Sequence, residues 1–138
     1  MPQENVELHY RLVDAFNRRS LDAVLALTDT EVEAVPLMAS LEGSFQGHDG
    51  VRRWWQNLLD AFPDFTAEIV GVRALGDFTL GAVHMRGHGA GSQTPLDQPT
   101  WQVIRWRHGK CVWRGTFATR VEALEAVGLS EQDAHADS

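Results

Sequence analysis

From Thr66 to Phe117 apolar and polar residues alternate, and the alternation is cut at three places. Gly76-Asp77 and His108-Gly109 are short breaks of the kind that close tight hairpins. A longer break, marked by Gly89, Gly91, Ser92, Pro95 and Pro99, separates the second run from the third. Strands joined so tightly run antiparallel. The pattern predicts a meander of Thr66–Ala74, Phe78–His88, Thr100–Arg107 and Cys111–Phe117. Such a sheet must bury at least one face against other elements.

The first half of the chain supplies the cover. Leu8, Leu12, Ala15 and Phe16 recur at helical spacing, with Val13 at the border of their stripe. Ser20 is an N-cap for a second, short helix that buries Leu21, Val24 and Leu25. Glu31 to Val35 alternates and reads as a strand stopped by Pro36. A glycine-rich loop follows. Val51 to Phe62 then reads as a third helix, with Trp54 or Trp55 on its apolar face and Pro63 ending it. Thr119 and Glu122 form a capping box for a last helix that runs to Gly128. A single domain over residues 1–129 is expected, with an acidic, disordered tail over 130–138.

A net charge of −7 excludes the basic face of a nucleic-acid binder. Cys111 is the only cysteine, so no internal disulfide can form, as suits a reducing compartment. No basic-then-apolar leader opens the sequence, and no apolar run reaches membrane-spanning length. A cytoplasmic protein without membrane contact is expected. No glycine-rich phosphate loop and no dense cysteine–histidine cluster is present, so no cofactor is expected.

Several segments resemble the SnoaL-like family of the nuclear transport factor 2-like superfamily. Gln3-Glu4-Asn5-Val6-Glu7-Leu8, Ala15-Phe16-Asn17-Arg18 and Leu21-Asp22-Ala23 are similar to its first two helices. Gly47-His48-Asp49-Gly50-Val51-Arg52-Arg53-Trp54-Trp55 resembles the start of its third. Arg107-His108-Gly109-Lys110 with Val112 resembles its hairpin, and Glu122-Ala123-Leu124-Glu125-Ala126 with Gly128-Leu129 its closing helix. The resemblance runs from Gln3 to Leu129. It implies an α+β fold, a cone-shaped, curved, mainly antiparallel sheet with helices packed on its concave face around a pocket. It also implies kinship in fold to ketosteroid isomerases and polyketide cyclases.

Ketosteroid isomerisation needs a carboxylate base, plus a tyrosine and a protonated aspartic acid that hold an enolate. Aligned on the family motifs, the tyrosine position falls on Leu12 and the base on Ala34 or Val35. The donor acid falls at or beside Trp101. None of these side chains moves a proton, although Glu33 and Gln102 stand one residue away. The acid of the cyclases, on the last strand, falls at Gly115.

The remaining base candidates are His84 and Glu33. His84 shares a strand face with Arg86 and His88, and the alternation favours an outer polar face with Val83 and Met85 turned to the core. His84 and His88 are about 13 Å apart along a strand, too far for one metal ion. His48 and Asp49 are better read as a helix N-terminus than as an acid–base pair. The expected pocket takes Leu12, Phe16, Trp54 and Leu58 from helices, and Gln102, Ile104, Trp106 and Phe117 from strands. The leading reading is a small-molecule-binding protein with an apolar, aromatic pocket and a small apolar ligand. The alternatives are a cofactor-independent enzyme moving a proton on a carbonyl compound, and a non-catalytic dimeric interaction module. Trp106 and Trp101 fall on opposite faces of the third strand, so each sheet face holds a large aromatic, which predicts a homodimer through the outer face.

Overall fold

The computed structural model describes residues 2–37 and 43–132. Helix α1 (Pro2–Asn17) is followed by α2 (Leu21–Ala26) and strand β1 (Thr28–Val35). Then come β2 (Phe45–Gln46), α3 (Gly47–Ala61), β3 (Thr66–Leu75) and β4 (Phe78–His88). The chain continues with β5 (Pro95–Arg107), β6 (Lys110–Phe117) and α4 (Arg120–Ala126). The strands form one curved, unclosed sheet in the order β2-β1-β6-β5-β4-β3. Only β1 and β6 run parallel; every other neighbouring pair is antiparallel. The fold is α+β, as the alternation and the family resemblance imply.

The local chemistry of each boundary is visible. Ser20 Oγ accepts from the Ala23 amide at 3.4 Å, and Thr119 Oγ1 accepts from the Glu122 amide at 3.2 Å, each tying down an orphan donor of a helix. The β5–β6 hairpin turns through His108 and Gly109, both at positive φ (51° and 74°), the conformation that matches the twist of the flanking strands. Arg19, also left-handed at φ 60°, donates to the carbonyls of Phe16, Pro63 and Phe65, and so joins α1 to the loop before β3.

Four elements differ from expectation, and the first is α3, which begins at Gly47 rather than Val51. Strand β1 begins at Thr28 rather than Glu31. The glycine-rich loop contains β2, whose Phe45 and Gln46 pair with Ala34 and Glu33. Too few residues lie in that strand for any period to show. Strand β5 begins at Pro95 rather than Thr100, despite two prolines. Its pairing with β6 begins only at Trp101, so residues 95–100 bond to β4 alone and leave a free edge. A proline there loses no ladder bond on that edge.

Helix α1 packs over β3 and β4, and α3 over β1 and β2, so the concave face above β5 and β6 lies between them. Phe16 is the hub of the core on this side, within 4.9–5.4 Å of the rings of Trp54, Trp55 and Phe65. Helix α4 covers part of the convex face, where Leu75, Leu80, Val103 and Leu124 are buried among Trp101, Trp113 and Phe117. The expected tail begins with an ordered contact, since Glu131 pairs with Arg120 at 3.1 Å. Residues 133–138 lie outside the described residues. Among the described residues no helix is long and apolar enough to cross a membrane.

Candidate functional site

A cavity of about 330 Å³ lies between the helices and the concave sheet. Leu12, Phe16, Trp54, Leu58, Val83 and Met85 give it an apolar, partly aromatic wall. Its polar contributions come from Asn57, Gln98, Thr100, Gln102, Arg114 and Thr116. Among the described lining residues there is no carboxylate, imidazole, phenol or thiol.

Two of the polar groups are placed by identifiable causes. Gln102 projects from β5 toward α1, where His9 is fully buried. His9 Nε2 lies 2.9 Å from Gln102 Oε1, and Nδ1 lies 2.7 Å from Thr79 Oγ1. An amide oxygen only accepts, so Nε2 carries the proton and Nδ1 accepts from the Thr79 hydroxyl. Thr79 Oγ1 in turn accepts from Trp106 Nε1 at 2.9 Å. From Trp106 through Thr79 to His9 every donor therefore meets an acceptor, and the chain ends on the Gln102 amide oxygen. Burial pushes the His9 imidazole from 6.5 down to about 4; the bond to Gln102 opposes this, and the charge of Arg114 adds to it. His9 is neutral at physiological pH. Gly81 makes room for it, since a Cβ there would sit 3.1 Å from the His9 ring. His9 escaped the sequence analysis because a polar residue on an apolar helix stripe reads as a surface position.

Arg114 reaches the cavity from β6. Its guanidinium carbon stands 4.5 Å above the Trp54 ring, a cation–π contact that covers one face of the planar group. Burial draws its pKa below the usual value, yet arginine stays charged at neutral pH. No carboxylate among the described residues pairs with it, whereas Arg18, Arg52, Arg86 and Arg120 each have one. Its inward direction comes from a bulge. Trp106 pairs with Cys111 and Arg105 with Trp113, which leaves Val112 as an extra residue. From there Trp113, Gly115 and Phe117 take the convex side, while Arg114 and Thr116 line the cavity.

The structure distributes the sequence candidates as follows. Leu12, Phe16, Trp54, Leu58 and Gln102 line the cavity. Ile104 and Trp106 share the face of Gln102 but lie further along β5, buried in the core beyond the cavity. Phe117 is opposite Trp101 in register and packs on the convex side. His84 is turned to the convex side and pairs with Asp97. Glu33 accepts from Trp113 Nε1 at 3.1 Å and Gln46 Nε2 at 3.2 Å, away from the cavity. Gly115 faces outward, where a Cβ would meet the Phe117 and Trp113 rings at 2.7 Å, so an acid at that position would not enter the cavity. His48 bonds to the Thr28 carbonyl at 2.8 Å and Asp49 to Arg52 at 2.7 Å, a structural use of both. His88 donates to Asp64, which holds that carboxyl below its usual range. No group of three or more His, Cys, Asp or Glu among the described residues is placed to hold a metal ion.

Solved structures share this architecture. One is a SnoaL-like polyketide cyclase, so described as putative, from Jannaschia sp., with a TM-score of 0.75 and 17% identity over 84% of this chain and 85% of that one. Another, from Catenulispora acidiphila, is a hypothetical protein of ketosteroid isomerase-like fold in complex with trimethylamine (TM-score 0.73, 17% identity, 91% and 95% covered). A third is TerC co-crystallised with polyporic acid (TM-score 0.74, 15% identity, 86% and 94% covered). At these identities the likeness concerns the fold. No match to the sequence is found among curated proteins. The model of the SnoaL-like domain matches residues 10–114, which hold α1 from Tyr10 onward and nearly all of the sheet. The chain belongs to the SnoaL-like family.

Proposed function

We propose that the protein binds a small, largely apolar molecule in the cavity between α1, α3 and the concave sheet. The observation that carries this reading is the cavity itself. Its volume of about 330 Å³ falls in the range of small-molecule sites. Its wall combines a broad apolar surface with a few convergent polar groups, the usual make-up of such sites. The two structural relatives solved with trimethylamine and with polyporic acid hold small organic molecules, which agrees in kind. Capture is favoured over proton transfer because the described wall offers no group that exchanges a proton near neutral pH.

The test uses N-phenyl-1-naphthylamine, a neutral fluorophore that brightens in apolar surroundings. Saturable binding by the native protein, abolished in Leu58→Trp where the larger ring fills the cavity, is the expected result. No saturable binding, or equal binding by the filled variant, would overturn the reading. A homodimer through the outer sheet face belongs to the same proposal. It is supported by Trp101 and Trp113, which stay only half-buried after α4 has docked. A monomeric mass by light scattering removes it.

A further inference from the structure

We infer that the ligand carries an acidic oxygen, as a carboxylate, phenolate or enolate, on its apolar body, and that Arg114 is its counter-ion. The inference rests on the binding reading above and narrows its ligand class. Arg114 lines the cavity with a permanent charge and no carboxylate partner among the described residues. A charge on an apolar wall is costly unless it is compensated. Trp54 covers one face of the guanidinium, while its N–H edges have no acceptor among the described side chains. An acidic ligand oxygen in the cavity supplies the missing compensation, and its planar fork suits such oxygens.

The neighbouring amide has the same polarity. Gln102 is opposite Thr116 and Ile104 opposite Arg114, which makes Gln102 and Arg114 diagonal neighbours on one face. His9 occupies the amide oxygen of Gln102, so the group left for the cavity is the amide nitrogen, a donor. His9 is thus a positioning residue. It sets which end of Gln102 a ligand meets. Thr100 spends its hydroxyl hydrogen on the Val83 carbonyl at 2.8 Å and adds no competing cation partner. Two adjacent donors, one of them charged, select for a ligand that brings acceptors and negative charge.

A matched pair of probes tests this. N-phenyl-1-naphthylamine is neutral, and 8-anilinonaphthalene-1-sulfonate has the same ring body with an anionic group. The expected result is a preference of about tenfold or more for the anionic probe, with the ratio of the two affinities falling to about one in Arg114→Met. Gln102→Glu is the second variant. It keeps the acceptor for His9, sets a carboxylate beside Arg114, and is expected to remove the preference as well. Equal affinities for the two probes, or a preference that survives both substitutions, overturns the inference and leaves the binding reading intact. If neither probe binds the native protein, both fall. Circular dichroism of each variant excludes anionic-dye binding to a loosened core.

Discussion

His9→Gln separates the buried imidazole's proton chemistry from its packing. In the folded protein His9 titrates at about 4, against 6.5 when exposed, so the unfolded chain takes up the proton first as the pH falls. The stability this contributes is complete above pH 6.5, declines as the pH drops toward 4, and is gone below it. Linkage over that whole window amounts to about 3 kcal/mol, and about 2 kcal/mol of it is lost between roughly pH 7.5 and roughly pH 5. Glutamine does not titrate there. At neutral pH the variant is less stable by about 1–3 kcal/mol because Thr79 and Gln102 lose well-placed partners. Its acid slope, however, is shallower. Urea unfolding followed by tryptophan fluorescence at the two pH values measures both quantities. The expected outcome is a wild-type loss on acidification that exceeds the variant's by about 2 kcal/mol. Carboxylates common to both proteins cancel in that difference. Equal losses would refute the reasoning, because an imidazole that titrates normally is not sealed in a neutral chain from Trp106 to Gln102.

Gly115→Ala places a Cβ 2.7 Å from the Phe117 and Trp113 rings and is expected to destabilise by about 1–3 kcal/mol in urea unfolding; a neutral result would mean that the two rings shift freely. Burial pushes the Cys111 thiol up to about 12, so it should resist Ellman's reagent in the native state and react fully in denaturant. Rapid reaction of the native protein would contradict its place in the core. Thr119→Ala removes the cap of α4 and is expected to cost about 1 kcal/mol, read as a lower midpoint of thermal unfolding. An unchanged midpoint would show that packing on Trp101 and Trp113 alone holds the helix.

The sheet was legible because its punctuation is chemical. Gly76-Asp77 and His108-Gly109 close hairpins for reasons that single residues carry, and Thr119 announces α4 in the same way. The cavity was legible wherever period alone decides a direction. Leu12, Phe16 and Leu58 follow from helical spacing, and Gln102 from strand alternation. Period does not say how far along a strand a cavity extends, which is why Ile104 and Trp106 lie in the core on the same face. It also fails at a register shift. With Val112 unpaired, simple counting along β6 puts Gly115 and Phe117 on the wrong side and passes over Arg114. His9 needed tertiary partners on β4 and β5 to become an interior residue, and no pattern within α1 points to them.

The extra residue at Val112 also makes the cavity's polarity a question of chain length. Remove that one residue and the alternation of β6 moves by one: the arginine turns to the convex side, and glycine and two large aromatics turn inward. The wall would change from charged to apolar without replacement of any residue that faces it. In lineages that share this sheet, a one-codon insertion or deletion in the last hairpin is therefore a route to new ligand preferences. Comparison of such sequences position by position misplaces their working side chains unless the bulge is counted first.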